Sequence, residues 1–205
     1  MNRIEREKVI AVVRLDDLEG AVRLTKAMIA GGVSIVEFTY TNRNAGKAIE
    51  AVREQLGDEC LVGAGTVLDP ETARAAILSG AQFLVTPTFN PRTIEMARRY
   101  GVTTVIGAFT ATEMLTASEA GADYIKVHPA SLGGPQYFRD ILAPLPHLKL
   151  VPSGGVTLDT AGEFVRAGAV AVAAGGGLVG RGSVSESDLA AVTERARAFR
   201  SAVES

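Results

Sequence analysis

Short apolar runs rich in β-branched residues alternate along this chain with longer stretches in which apolar residues return every three or four positions. The short runs predict buried strands and the longer ones amphipathic helices, and their regular alternation predicts βα units feeding a parallel sheet. Eight such units can be counted. The predicted strands run from Val9 to Arg14, Ile35 to Tyr40, Leu61 to Val67, Phe83 to Pro87, Thr103 to Phe109, Tyr124 to Pro129, Lys149 to Ser153 and Val170 to Gly175.

Asp69-Pro70-Glu71 and Asn90-Pro91 each set a capping side chain ahead of a proline at the first helical position, and Thr157 opens a further helix. At the other ends, Gly31-Gly32, Gly57, Gly80, Gly101, Gly121 and Gly168 stand where C-terminal caps belong. The glycines recur roughly every 20 to 25 residues, or about twice that where a unit lacks one, which marks a supersecondary repeat. Eight βα repeats close naturally into a (β/α)8 TIM barrel. A doubly wound open sheet is the alternative, but it leaves edge strands, and none of the eight is blunted as edges usually are. We expect one barrel domain over residues 1–205, with a short N-terminal helix through Glu7 covering its bottom.

The chain has 205 residues and a formal charge of −2, with its basic residues scattered, so neither nucleic acid nor a membrane surface is expected as a partner. A small-molecule substrate suits it better. Cys60 is the one cysteine, which rules out an internal disulfide, and no Cys/His cluster has the spacing of a zinc site. We expect a reducing compartment. The polar opening Met1 to Lys8 and the lack of a long apolar run point to a cytoplasmic protein.

Within the apolar run Tyr124-Ile125-Lys126-Val127-His128-Pro129, Lys126 stands out. An ammonium in apolar surroundings is costly unless paired, or unless burial lowers its pKa and makes it a usable nucleophile. The bland alternative is a strand-end lysine whose head reaches water. In a barrel, polar residues at the C-terminal strand ends converge on one mouth. Those ends supply Arg14, Glu37 with Thr39, Thr66, Thr86 with Pro87, Lys126 with His128, and Ser153. Glu37, between Val36 and Phe38, should have a raised pKa and carry protons near neutrality, unless it serves as a structural ion partner of Lys126 or Arg14. A lysine facing a carboxylate is what imine chemistry on a ketone requires. Arg14 offers a planar fork to a carboxylate, and Thr66 a hydroxyl beside Gly63-Ala64-Gly65, so together they could hold an α-keto acid. The alternative role for Arg14 is to neutralise Glu37. Gly154-Gly155 and Gly175-Gly176-Gly177 follow the last two strands, where barrels commonly build phosphate sites from backbone N–H groups. His128, a lone imidazole, reads first as a satisfied wall residue.

These residues resemble the class I aldolases for 2-keto-3-deoxy-6-phosphogluconate (KDPG), including branches acting on the 6-phosphogalactonate isomer and on 4-hydroxy-2-oxoglutarate. The resemblance covers essentially the whole chain. It rests on Gly31-Gly32-Val33 leading into Val36-Glu37-Phe38-Thr39, on Val62 to Val67, on Lys126-Val127-His128-Pro129-Ala130, on Gly134-Pro135-Gln136-Tyr137 and on Val151 to Val156. It implies a βα barrel, usually a homotrimer, with no metal or other cofactor. It implies that Lys126 is the Schiff-base lysine and Glu37 the acid/base residue working through water. Thr66 would contact the pyruvate carboxylate, Pro87 would line the pocket, and Gly154 and Gly155 would offer backbone amides to the phosphate, with Ser153, Gly175 and Gly176 as further substrate-binding candidates. Three positions depart from the family pattern: Thr41 where an arginine is common, Gly176 where a phosphate-binding serine is usual, and His128 where an aromatic residue commonly precedes the proline. A sugar-phosphate epimerase and an idle metabolite-sensing barrel are the readings of other kinds.

Overall fold

The computed structural model describes residues 2–180, 182 and 185–204. Its strands are β1 (Val9–Val13), β2 (Ile35–Thr39), β3 (Leu61–Gly65), β4 (Phe83–Val85), β5 (Thr103–Ala108), β6 (Tyr124–Val127), β7 (Leu150–Pro152) and β8 (Val172–Ala174). All are parallel, in the order β7-β6-β5-β4-β3-β2-β1-β8, and a bridge from Ser153 to Ala173 joins the two ends. The eight strands thus form the nearly closed (β/α)8 barrel, and the open doubly wound sheet is set aside. Closure removes the sheet edges that an open arrangement would leave bare.

The helices are α1 (Arg3–Glu7), α2 (Ala21–Ala30), α3 (Ala45–Leu56), α4 (Pro70–Leu78), α5 (Pro91–Arg99), α6 (Ala111–Glu119), α7 (Gly134–Leu142), α8 (Leu158–Arg166) and α9 (Leu189–Glu204). The caps act as their chemistry predicts. Asp69 accepts a hydrogen bond from the Thr72 N–H at 2.6 Å, and Asn90 accepts one from Arg92 at 3.0 Å, each with proline at the first helical turn. Gly32, Gly57, Gly80, Gly101, Gly121 and Gly168 all have positive φ, the conformation in which chains leave helices. The expected bottom helix is α1, whose Ile4 is fully buried in the barrel interior. Tyr124 donates its hydroxyl to Glu5 at 3.0 Å and Lys149 pairs with the same carboxylate at 2.8 Å, fastening α1 beneath β6 and β7.

Two apolar layers follow from the period of two along each strand. Val9, Ala11 and Val13 of β1, with Val36 and Phe38 of β2 and their counterparts elsewhere, face the helices. Ile10 and Val12, Ile35, Phe83 and Val85, Val105, Tyr124, Val151 and Ala173 fill the barrel. Glu37 and Lys126 interrupt the second set, at positions that alternation directs inward.

The strands are shorter than their apolar runs. Arg14, Tyr40, Thr66, Val67, Thr86, Pro87, Phe109, His128, Pro129 and Gly175 lie beyond the last ladder residue of their strands, and Val170 lies before β8. Tilted barrel strands stay paired only while neighbours run alongside, after which the chain peels outward to its helix. Many of the polar residues expected at strand ends therefore stand on the first residues of the βα loops. Gly63-Ala64-Gly65, beside Thr66, lies within β3 as the predicted strand from Leu61 has it, in register with Glu37, Phe38 and Thr39.

Candidate active site at the barrel mouth

β2 and β6 are four strands apart in an eight-strand barrel and so occupy opposite walls. Glu37 and Lys126 approach the lumen from those two sides. They are 1% and 4% exposed, and among the described residues neither makes a hydrogen bond or an ion pair within 4.0 Å. The tight structural ion pair of Glu37 with Lys126 or with Arg14, open on the sequence, is therefore not formed. The two groups act on each other through the low-dielectric interior instead. Burial raises the Glu37 pKa above the ordinary carboxylate value, and the Lys126 and Arg14 cations oppose that rise. Burial lowers the Lys126 pKa, with Glu37 opposing and Arg14 adding to the shift. An amine pushed toward its uncharged form and a carboxyl pushed toward its protonated form make a proton-exchanging couple.

Bare space beside the carboxylate is built into β3. A Cβ on Gly65 would lie 2.7 Å from Glu37 Oε1 and 3.1 Å from Thr39 Cγ2, closer than atoms pack. Gly65→Ala must therefore displace the Glu37 carboxyl. We expect turnover to fall about 100-fold, the usual penalty for roughly an ångström of misplacement, with the protein still folded by circular dichroism. Unchanged turnover would show that the position of Glu37 is unimportant.

Arg14 and Thr66, just past the ends of the two strands that flank β2, meet on the Glu37 side of the mouth, with an Arg14 guanidinium nitrogen 3.4 Å from Thr66 Oγ1. Thr66 has φ of 56°, a left-handed conformation that a β-branched residue rarely adopts. Strain of this kind is characteristic of functional sites, and here it turns the Thr66 hydroxyl toward Arg14 rather than along the β3 ladder. Thr41 does not reach out as an arginine would. Its hydroxyl lies 2.8 Å from that of Thr39, while Asn42 donates to the carbonyls of Leu15 and Asp16 at 3.0 and 2.9 Å and ties the loop after Arg14 to the loop after β2.

A cavity of about 520 Å³ opens above this floor, bounded by Arg14, His128, Ser153, Gly154, Gly155, Gly175 and Gly176, with Val12, Val156, Thr157, Ala173, Gly177 and Gly180 completing it. Gly154 and Gly155 both have φ of 80°, so the loop after β7 takes a path that L side chains resist. Pro87 lines a smaller neighbouring cavity of about 130 Å³ with Thr88, Phe89, Gly107, Ala108, Phe109, Glu113 and His128. Tyr137 closes that side, stacking on Phe109 at 5.4 Å between ring centroids and donating its hydroxyl to the Phe109 carbonyl. The sequence-predicted residues are thus gathered at one mouth, in two tiers: Glu37 and Lys126 buried in the strands, and the others above them.

Gly107 escaped the sequence reading. It pairs in register with Lys126, and a Cβ there would lie 2.2 Å from the Pro87 carbonyl carbon, so its smallness lets the loop after β4 cross the mouth. The signal available was inward alternation along β5. Among the described residues, no group of three or more His, Cys, Asp or Glu could hold a metal ion.

A buried lysine and carboxyl at the C-terminal face of a parallel barrel define a class I, imine-forming lyase. Residues 1–195 match the family model for KDPG and KHG aldolase, and the chain belongs to that family. It is 38% identical over 191 residues to the 2-dehydro-3-deoxy-phosphogluconate aldolase of Treponema pallidum, covering 93% of this chain and 90% of that one. It is 34% identical over 197 residues to the 2-dehydro-3-deoxy-6-phosphogalactonate aldolase of Escherichia coli, covering 96% of each. Among solved structures it is similar to the KDPG aldolase of Legionella pneumophila with pyruvate captured as a covalent carbinolamine, with a TM-score of 0.84, 26% identity and 94% of each chain covered.

Proposed function

We propose that this chain, as a single barrel domain over residues 1–205, reversibly cleaves a 2-keto-3-deoxy-6-phospho sugar acid of the KDPG type into pyruvate and glyceraldehyde 3-phosphate. The observation that carries the reading is the buried, mutually polarising pair Lys126 and Glu37. Lys126 attacks C2, and Glu37 assists loss of water from the carbinolamine. A base takes the proton of the C4 hydroxyl, the C3–C4 bond breaks, and its electrons pass to the iminium to give an enamine. Glu37, through water, protonates C3, and hydrolysis frees pyruvate. Arg14 and Thr66 hold the pyruvyl carboxylate, and Pro87 and Ser153 shape the walls. The backbone around Gly154, Gly155, Gly175 and Gly176 receives the phosphate. Borohydride with pyruvate tests the reading directly: a reduced pyruvyl adduct should appear on Lys126, and its absence would sink the imine mechanism.

A second reading, a 4-hydroxy-2-oxoglutarate aldolase releasing glyoxylate, is favoured by the departures at Gly176 and Thr41. Backbone amides remain where the serine is missing, and one lost hydroxyl bond to an anion is worth about 1.5 to 3 kcal/mol, or roughly 10-fold to 150-fold. We expect the phosphorylated acid still to be preferred, by a reduced margin that Gly176→Ser widens. The ratio of specificity constants for KDPG and 4-hydroxy-2-oxoglutarate measures this, and a wild-type preference for the unphosphorylated acid would make the second reading the better one.

We further propose a cytoplasmic homotrimer. No helix among the described residues is long and apolar enough to cross a membrane, and the Cys60 thiol is buried with its pKa pushed up to about 12, a poor redox participant. Leu68, Leu132 and Leu158, all on βα loops or helix starts at the mouth end, are 55%, 73% and 40% exposed, surface that association would cover. Sedimentation equilibrium distinguishes trimer from monomer.

A further inference from the structure

His128 stands two residues beyond Lys126 and one past the end of β6, which sets it at the mouth, roughly 6 to 7 Å farther out along the chain direction. Its ring borders both cavities at the mouth. Nδ1 lies 3.2 Å from the Ser153 carbonyl, which can only accept, so Nδ1 carries the proton and Nε2 is left with a lone pair. The Nδ1–Cε1 edge is pressed on the loop after β7: a Cβ on Gly154 would lie 2.8 Å from both atoms. The ring is thereby held in one tautomer by a backbone contact.

The groups facing it keep it uncharged. Burial, then Lys126, then Arg14 lower the His128 pKa, against the opposing hydrogen bond to Ser153, and Glu113 across the smaller cavity already accepts the N–H groups of Phe109 and Thr110 at 2.9 and 2.8 Å. Most of the rest of the larger cavity has little to offer a hydroxyl. Val12, Val156 and Ala173 are apolar, the glycines bring no side chain, Arg14 only donates, and the Thr157 hydroxyl is engaged with Thr160 as a helix cap. Among the described residues lining it, the remaining side-chain acceptors are His128 Nε2 and the buried Ser153 hydroxyl.

We infer that His128 is a specificity-determining residue: its Nε2 accepts a hydrogen bond from the hydroxyl on the carbon next to the aldehyde group of the two-substrate reaction, C5 of the cleaved acid. The assignment rests on the aldolase reading above. With C2 bound at Lys126 below and the chain running outward, this is the half of the substrate that passes the imidazole.

The test runs the reaction in the synthetic direction, with saturating pyruvate and either glycolaldehyde or acetaldehyde, which differ by that one hydroxyl. His128→Phe should cut the preference for glycolaldehyde, as a ratio of kcat/KM values, by about tenfold. His128→Asn, which keeps a donor for the Ser153 carbonyl, should do the same. Exchange of the pyruvate methyl hydrogens with deuterium in solvent, which involves no aldehyde, should continue at nearly the wild-type rate. Equal losses for both aldehydes, a parallel loss of exchange, or loss of the preference in Ser153→Ala but in neither His128 variant would overturn the assignment. If the wild type neither exchanges deuterium nor is trapped by borohydride, the aldolase reading fails first and this one falls with it.

Discussion

Lys126→Ala is expected to reduce cleavage to background, by at least ~10,000-fold, the scale on which loss of a covalent nucleophile is felt in other covalent enzymes. Every step from carbinolamine to enamine is routed through its nitrogen, and among the described residues no second lysine is buried in the barrel. Lys126→Arg should be as damaging, because a guanidinium stays protonated and cannot attack a carbonyl. The fold should not suffer. The ammonium is 4% exposed and makes no hydrogen bond among the described residues, so Lys126→Met exchanges a desolvated charge for a thioether of similar length. Its melting temperature should equal or exceed that of the wild type. Turnover comparable to wild type in any of these variants, with no pyruvyl adduct elsewhere, would remove the imine mechanism. A sharply lowered melting temperature would instead mean that Lys126 supports the fold.

Glu37→Gln is expected to slow turnover by roughly 100-fold to 10,000-fold, the usual worth of a positioned acid/base group, while the Michaelis constant changes little. Borohydride should still trap pyruvate, more slowly, since the nucleophile remains. The pH profile carries the sharper signature. Burial holds the Glu37 pKa above the ordinary carboxylate value and holds that of Lys126 below the ordinary amine value. Before it can assist loss of water, Glu37 must take up the proton that the attacking amine releases, which requires Glu37 ionised and Lys126 uncharged in the free enzyme, so kcat/KM should rise with pH through the raised carboxylate titration and level off below the ordinary lysine value. The two limbs belong to the pair and not to either residue alone. Glu37→Gln should abolish the lower limb. If that limb persisted unchanged in the variant, another group would be the proton carrier.

By itself the sequence determined the βα alternation, the caps at Asp69, Asn90 and Thr157, the glycines that end the helices, and the candidates Lys126 and Glu37. These are local matters: a period of two or of 3.6, a side chain reaching its own backbone, or one charge in an apolar run has the same cause in any tertiary setting. Tertiary structure alone decided how the candidates relate. Closure of β7 onto β8 put β2 and β6 on opposite walls, so residues 89 positions apart face one lumen without pairing. The left-handed turn at Thr66 toward Arg14, the room Gly65 leaves for Glu37, and the passage of the Pro87 loop over Gly107 likewise depend on which strand lies beside which. Where each strand stops was not legible either, because ladder pairing ends when the neighbouring strand peels away, an event set by the tilt of the closed barrel and not by the apolar run itself.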